Sequence, residues 1–133
     1  ENLGKLKTIG GYADFENSNI TKLNELKTIG DYAYFPNSKI TNLGNLEIIS
    51  GVAIFIDSNV ENLGNLEIIK GSAYFKNSKI TNLGKLHTIG ECAYFSGSNV
   101  ENLGKLKKIG GYAFIENSKL TKDMFKGICK KFY

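Results

Sequence analysis

Residues 6–25 read LKTIGGYADFENSNITKLNE, and residues 26–45 read LKTIGDYAYFPNSKITNLGN. The second stretch repeats the first without a gap, and the pattern continues to residue 120 of the 133-residue chain. Six units of equal length therefore occupy residues 1–120, and a different tail occupies 121–133. Because one such unit is too small to bury an apolar face alone, tandem units of this length indicate a solenoid whose core forms between stacked neighbours.

Six positions of the unit are apolar in every copy, so they predict the core of the solenoid. These columns begin at Leu3, Leu6, Ile9, Ala13, Phe15 and Ile20 and recur once in every unit. The Ala-x-Phe segment alternates with period two and predicts a strand of a parallel sheet, with Ala and Phe pointing inward. The Leu-x-x-Leu-x-x-Ile segment has period three, which is typical of tight turns or a short extended segment. Together they predict a β-solenoid.

Two further columns contain residues that favour turns. The first has Gly at five of its six positions and Asn24 at the other, and the second begins at Asn17. Gly and Asn tolerate a positive φ, so we expect a left-handed residue at both places in each coil. The column that begins at Ser18 is serine in all six units. A hydroxyl beside such a turn is expected to hydrogen-bond backbone groups.

The tail at 121–133 breaks the repeat and predicts a short C-terminal capping helix. Its apolar residues are spaced as on one helical face: Met124, Phe125, Ile128, Cys129 and Phe132. Asp123 would be the N-cap and Cys129 a small buried residue. An amphipathic helix on a membrane surface is the alternative. No run of about 18–20 apolar residues exists that would cross a bilayer.

The first unit has no comparable cap. Leu3, Leu6, Ile9 and Phe15 are expected to face no preceding coil. Two interpretations remain open: upstream repeats have been removed, or the exposed edge strand pairs with another chain.

From each strand onward the unit reads Ala-x-Phe-x-x-Ser-x-Ile-x-x-Leu-x-x-Leu-x-x-Ile. This pattern resembles the leucine-rich repeat, with Ala and Phe at the strand leucines and Ser at the asparagine-ladder position. The phrase LKTIGGYADF is also similar to the receptor L-domain variant, and the whole resembles short tandem repeats of bacterial surface proteins. The resemblance implies ligand binding through the strand face without catalysis, a role in adhesion, and an extracellular or cell-surface location.

The outward positions of the predicted strands carry most of the tyrosines and an aliphatic cluster. We call the following ten residues the strand face: Tyr12, Tyr32, Tyr34, Val52, Ile54, Ile56, Tyr74, Tyr94, Tyr112 and Phe114. A contiguous apolar and aromatic surface of this kind is typical of an interface. It predicts a binding site for a protein or a glycan. A homodimer that buries the same face, or the uncapped first coil, is the alternative.

The composition offers little for catalysis or metal binding. The chain has one His, two Cys and no Arg, and neither a nucleophile–base pair nor a phosphate-binding loop is recognisable. We therefore expect no enzyme activity, no metal and no cofactor. The net charge is +4. Positive charge is concentrated in residues 103–133, which carry eight lysines and two acids, but without Arg to read phosphates we expect no nucleic-acid partner.

Overall fold

The computed structural model describes residues 2–133 and forms a parallel-strand β-solenoid of six coils, which confirms the predicted architecture. Each coil contributes one short strand to each of two parallel sheets. The strands are β1 (Thr8–Ile9), β2 (Ala13–Asp14), β3 (Thr28–Ile29), β4 (Ala33–Tyr34), β5 (Ile48–Ile49), β6 (Ala53–Ile54), β7 (Ile68–Ile69), β8 (Ala73–Tyr74), β9 (Thr88–Ile89), β10 (Ala93–Tyr94), β11 (Lys108–Ile109), β12 (Tyr112–Phe114) and β13 (Lys131–Phe132).

The odd-numbered strands β1 to β11 form a six-stranded sheet, and the even-numbered strands with β13 form a seven-stranded sheet. In the seven-stranded sheet every coil-to-coil pairing is offset by one whole unit, so Ala33 pairs with Ala53 and Tyr34 with Ile54. The amide of Phe35 donates to the carbonyl of Ile54 at 3.0 Å. The sequence predicted the six coil strands of the seven-stranded sheet and did not predict β13. For the Leu-x-x-Leu-x-x-Ile segment the sequence predicted either tight turns or a short extended stretch. The structure shows that this segment contains both a turn and a strand of the six-stranded sheet.

The core lies between the sheets and consists of the predicted apolar columns. Phenylalanine rings stack through the middle of the molecule, with centroids 5.1 Å apart for Phe35 and Phe55 and 5.7 Å apart for Phe55 and Phe75. These three rings have no exposed surface. Burying a large apolar side chain completely stabilises the fold by about 1.5–3 kcal/mol before ordering entropy is subtracted.

Both predicted turn columns adopt the left-handed conformation. Gly4 has a φ of 61° and Asn17 a φ of 58°, and the same columns are left-handed in the later coils. The Asn-Leu-Gly motif explains the first turn further, because the Asn42 side-chain oxygen accepts a hydrogen bond from the Gly44 amide at 2.7 Å. The second coil has Lys22 in place of this asparagine. There Asn24 occupies the glycine position with a φ of 55°.

The serine column is buried or half-buried beside the second turn, as expected for a structural role. Each serine amide closes the turn; Ser38, for example, donates to the Phe35 carbonyl at 3.2 Å. The hydroxyl of Ser118 donates to the Ile115 carbonyl at 2.6 Å, and the hydroxyl of Ser98 accepts from the Val100 amide at 3.4 Å. The hydroxyls of Ser18, Ser58 and Ser78 have no hydrogen-bond partner among the described residues 2–133. The expected hydroxyl–backbone bonds therefore form in some coils and not in others.

The predicted C-terminal capping helix is present only as a single 3-10 turn. The tail forms only a 3-10 helix at Lys122–Phe125, and the proposed N-cap residue Asp123 lies inside it rather than before it. The chain then extends into β13, which pairs with β12 and adds the seventh strand. Gly127, with a φ of 75°, permits this change of direction. The end of the tail forms a strand rather than a helix because β12, at the open edge of the sheet, offers backbone hydrogen-bond partners. An isolated helical turn lacks such partners.

The tail nevertheless covers the core of the last coil. Phe125 is fully buried and lies 6.0 Å from the Phe95 ring, so it continues the phenylalanine column. Met124 is exposed, which the helical interpretation did not predict. Cys129 is half-buried rather than buried, with its thiol 3.4 Å from the Lys131 carbonyl.

The first coil covers its core less completely than the others. Leu6 has 43% of its surface exposed, and Leu3 and Ile9 are partly buried. Phe15 was also expected to be uncovered, and it is buried at 4% exposure because its ring stacks on Phe35 at 5.5 Å.

Candidate functional site

All ten residues of the strand face lie on the outer side of the seven-stranded sheet or at its margin, and none of them is buried. Tyr12 and Tyr112 are the most exposed, at 59% and 45%. The other eight are half-buried, because side chains on adjacent coils cover one another. Alternation along each strand produces this arrangement: Ala33 and Phe35 point inward, so Tyr34 between them points outward.

Where tyrosines occupy neighbouring coils, their rings stack. Tyr74 and Tyr94 have centroids 4.3 Å apart and Tyr94 and Phe114 4.8 Å apart, in both cases with nearly parallel planes. This spacing matches the separation of about 4.8 Å between paired strands. Tyr133 extends the stack at 5.6 Å from Phe114. The sequence analysis missed Tyr133 because its position depends on β13.

The stack is interrupted at Ile54. In the register of the sheet Tyr34 has Asp14 on one side and Ile54 on the other. Among residues 2–133 the Tyr34 ring contacts only one other ring, an edge contact with Tyr32 at 5.9 Å between centroids. Among the described residues the Tyr34 ring therefore has no stacked ring on either side, unlike the Tyr94 ring, which is stacked on both sides.

A depression of about 550 Å³ lies beside this interruption. Its apolar and aromatic lining consists of Tyr32, Tyr34, Val52 and Ile54. Polar side chains complete the rim: Asp31, Ser50, Lys70 and Glu91. We call this feature the Tyr34 depression. Its volume is within the range of about 300–1,000 Å³ that small-ligand sites usually have.

The polar rim of the depression comes from two adjacent positions at the corner between the sheets. This corner pair is Gly10-Gly11 in the first coil, and its later copies keep at least one glycine each. Stacking explains the glycine, because a Cβ on Gly51 would lie 2.6 Å from the Asp31 carbonyl carbon. A Cβ on Gly30 or Gly90 would likewise overlap the carbonyl oxygen of the preceding coil. In each of coils two to five, one residue of the corner pair is glycine and the other is not. The four residues that are not glycine all line the Tyr34 depression: Asp31, Ser50, Lys70 and Glu91.

Two phenols on the strand face have shifted ionisation. The pKa of Tyr32 is raised above its usual value, first by desolvation and then by repulsion from Tyr12, Asp14 and Asp31. Burial also raises the pKa of Tyr94, with further contributions from Tyr74 and Cys92. Both phenols consequently stay protonated at neutral pH, so they offer O–H donors as well as acceptors to a ligand.

His87 lies on the outer side of the six-stranded sheet and has two polar neighbours, which the sequence analysis did not detect. Its Nδ1 is 2.9 Å from the Thr88 hydroxyl, and its Nε2 is 3.7 Å from a Glu67 carboxylate oxygen. The Glu67 side chain is about half exposed and the His87 side chain about one third. A solvated pair of this kind contributes little to stability, typically less than about 1 kcal/mol.

Lysines surround a second depression at the C-terminal end of the six-stranded sheet. It measures about 620 Å³ and is lined by Lys107, Lys108 and Lys130 together with the backbone around Gly127. The Ile109 amide at its edge already donates to the Ile128 carbonyl at 2.9 Å. Positive charge is thus concentrated away from the strand face.

Within residues 2–133 no group of three or more His, Cys, Asp or Glu side chains is placed to hold a metal ion. The same part of the chain contains no helix that is long and apolar enough to span a membrane. Comparison with known proteins finds no matching family model, no matching curated protein and no matching solved structure.

Proposed function

We propose that the chain is a non-catalytic recognition module that binds a protein or a glycan through the strand face. The observation that supports this proposal is the continuous strip of tyrosine and aliphatic side chains on the outer side of the seven-stranded sheet. Soluble proteins rarely leave a contiguous surface of this composition without a partner. Phenols and aliphatic groups contribute binding area and hydrogen bonds, and the ten strand-face residues include no carboxylate or imidazole to act with a phenol in acid–base catalysis.

The leucine-rich-repeat resemblance supports the same function, because proteins of that family bind ligands through the strand face of a solenoid. A bacterial cell-surface protein with an adhesive role is the setting that this resemblance favours, and it is part of the proposal. Short parallel strands held in strict register suit such a role, since they give the side chains of the strand face fixed positions.

Self-association is the second candidate, because the same strip would be equally well covered by a second copy. Coil one favours this alternative to some extent, since Leu6 is 43% exposed beside the edge strands β1 and β2. An edge strand with free backbone groups can pair with another chain.

Light scattering over a concentration series distinguishes the two candidates. We compare the wild type with Tyr34→Asp/Ile54→Asp/Tyr74→Asp on the strand face. Thr28→Asp/Ile48→Asp/Thr88→Asp, on the outer side of the other sheet, is the matched control. Recognition predicts monomers throughout, with unchanged circular dichroism. A wild-type dimer that only the strand-face variant dissociates would instead identify a self-interface.

A pull-down from cell-surface extracts then tests for a ligand. The captured component is identified, purified and bound again to each variant. Recognition predicts that the strand-face variant loses this binding and that the control variant keeps it. Equal binding by both variants would contradict the proposal.

A further inference from the structure

The strand face is not uniform, and its chemistry at the third coil differs from the rest. Over coils four to six the rings of Tyr74, Tyr94 and Phe114 stack face to face, which leaves only the side of Tyr74 toward Ile54 without a stacked ring. At the third coil Ile54 occupies the place of a ring, and the Tyr34 ring has no stacked neighbour. Tyr34 is therefore the ring of this column with no stacked ring on either side, and it lines the Tyr34 depression.

The charges of the depression alternate along the solenoid axis. Asp31 belongs to the second coil, Lys70 to the fourth and Glu91 to the fifth. Three coil separations of about 4.8 Å place the backbones of Asp31 and Glu91 about 14 Å apart along the axis, with Lys70 on an intervening coil. No ion pair within 4 Å joins these side chains in the described residues 2–133, so each keeps free hydrogen-bonding capacity.

This arrangement favours a neutral ligand with many hydroxyls. Asp31 and Glu91 would repel an anion, and Lys70 reduces the attraction for a cation to that of a net charge of −1. A sugar hydroxyl, in contrast, donates to a carboxylate and accepts from an ammonium or from the Ser50 hydroxyl. The apolar C–H face of a pyranose ring complements the negative face of an aromatic ring.

The dimensions of the depression favour a short oligosaccharide over a protein loop. Its 550 Å³ and its length of about 14 Å suit two or three sugar rings. A stable protein partner needs about 800 Å² of contact on each side, which extends well beyond this feature. A protein ligand would also contact the stacked rings of Tyr74, Tyr94 and Phe114, whereas a saccharide needs to contact only the Tyr34 depression.

We infer that the Tyr34 depression is a subsite for a neutral oligosaccharide of two or three rings, stacked on Tyr34 and hydrogen-bonded by Asp31, Lys70 and Glu91. This inference rests on the proposed recognition function and specifies its ligand class. It also assigns separate roles within the strand face. Tyr34 binds a sugar ring, and the Tyr74–Tyr94–Phe114 stack supports the sheet.

Saturation-transfer NMR and calorimetry test the subsite with maltotriose, cellotriose, mannotriose and triacetylchitotriose as probes. We expect at least one of them to bind at millimolar concentration. Tyr34→Ala should weaken that binding by about tenfold, because it removes the ring on which the sugar would stack. Asp31→Asn and Glu91→Gln, which keep the shape of the rim, should each weaken it severalfold.

Tyr133→Ala is the matched control, since it removes an exposed phenol that is not a strand-face residue and does not line the Tyr34 depression. It should change saccharide affinity by less than about twofold. Circular dichroism of each variant verifies that the solenoid is intact. Equal losses in Tyr34→Ala and Tyr133→Ala would overturn the subsite.

The subsite and the wider function can fail separately. If none of the four probes binds while a purified protein ligand binds the wild type and not the strand-face variant, the subsite is overturned and recognition stands. If no probe binds and the strand face proves to be a self-interface, both are overturned.

Discussion

Tyr34 and Ile54 are register partners on the parallel strands β4 and β6, and their juxtaposition ends the aromatic stack of the strand face. On the far side of Ile54 the stack resumes at Tyr74. One aliphatic residue thus leaves the Tyr34 ring unstacked and lines the adjoining depression. A substitution at Ile54 can therefore change ligand affinity without lowering the stability of the fold.

Ile54→Tyr should complete the aromatic stack between Tyr34 and Tyr74. Each new stacked pair contributes about 0.5–1.5 kcal/mol beyond its buried area, so the free energy of unfolding should stay equal or rise. Saccharide affinity should fall by about tenfold or more, because the added ring covers Tyr34 and fills the depression. Urea denaturation and calorimetry measure the two effects. A variant that binds as well as the wild type would show that the interruption is not the binding site.

Phe55→Ala should be among the most damaging core substitutions. Phe55 has no exposed surface and stacks between Phe35 and Phe75, so its removal leaves a cavity with a covered ring on each side. We expect a loss of about 3–5 kcal/mol in the free energy of unfolding. Phe15→Ala, in the first coil, is the comparison and should cost about 2 kcal/mol, since only one coil packs on that ring. Urea unfolding of both variants ranks them, and the reverse order would contradict this account of the core.

Gly90→Ala should be strongly destabilising. The added Cβ would overlap the Lys70 carbonyl oxygen of the preceding coil, and a backbone oxygen cannot move aside as a side chain can. The expected loss is about 3 kcal/mol or more. Gly10→Ala is the matched control at the same position of the first coil, where a Cβ meets no atom within 4 Å. It should stay within about 1 kcal/mol of the wild type in thermal and urea unfolding.

Alkaline pH should destabilise the fold through Tyr32 and Tyr94. Both phenols have a folded-state pKa above the ordinary value of 10.0, so the folded chain holds their protons more tightly than the unfolded chain does. Their stabilising contribution is complete below that value and is lost as pH rises through the folded-state pKa. The urea midpoint should therefore fall above about pH 10.

Tyr32→Phe/Tyr94→Phe should flatten this pH dependence, because phenylalanine does not ionise. The same variant at pH 7 provides the control for any loss of packing. An unchanged alkaline slope would assign the destabilisation to other groups.

Much of the fold follows from the 20-residue period, and the reasons are local. Residue type and spacing predict that Ala33 and Phe35 point inward. They also predict the left-handed backbone conformation of Gly44 and Asn37. The six-stranded sheet was harder to predict, since its strands are only two residues long and carry no alternating pattern. The sequence could not distinguish the C-terminal helix from β13, because the decisive partner is the backbone of β12.

The ten strand-face residues could be identified from the sequence, and the structure places them on one surface. The stacking of their rings could not be predicted from the sequence, because it depends on the distance between coils. The polar rim was also missed. Asp31 and Glu91 lie far apart in the sequence, where nothing distinguishes them from ordinary turn residues, and only stacking brings both to the edge of one depression.

The constant offset of one unit between paired strands makes the coils modular. Inserting or deleting one whole unit would preserve every hydrogen bond of the remaining coils and shift each downstream surface by about 4.8 Å. In a gene this corresponds to the in-frame insertion or deletion of the codons for one unit. The solenoid could therefore become longer or shorter while each remaining coil keeps the same kind of core. A unit resembling the third coil, placed elsewhere, would open another gap in the aromatic stack. The number and spacing of such gaps could therefore evolve independently of the scaffold.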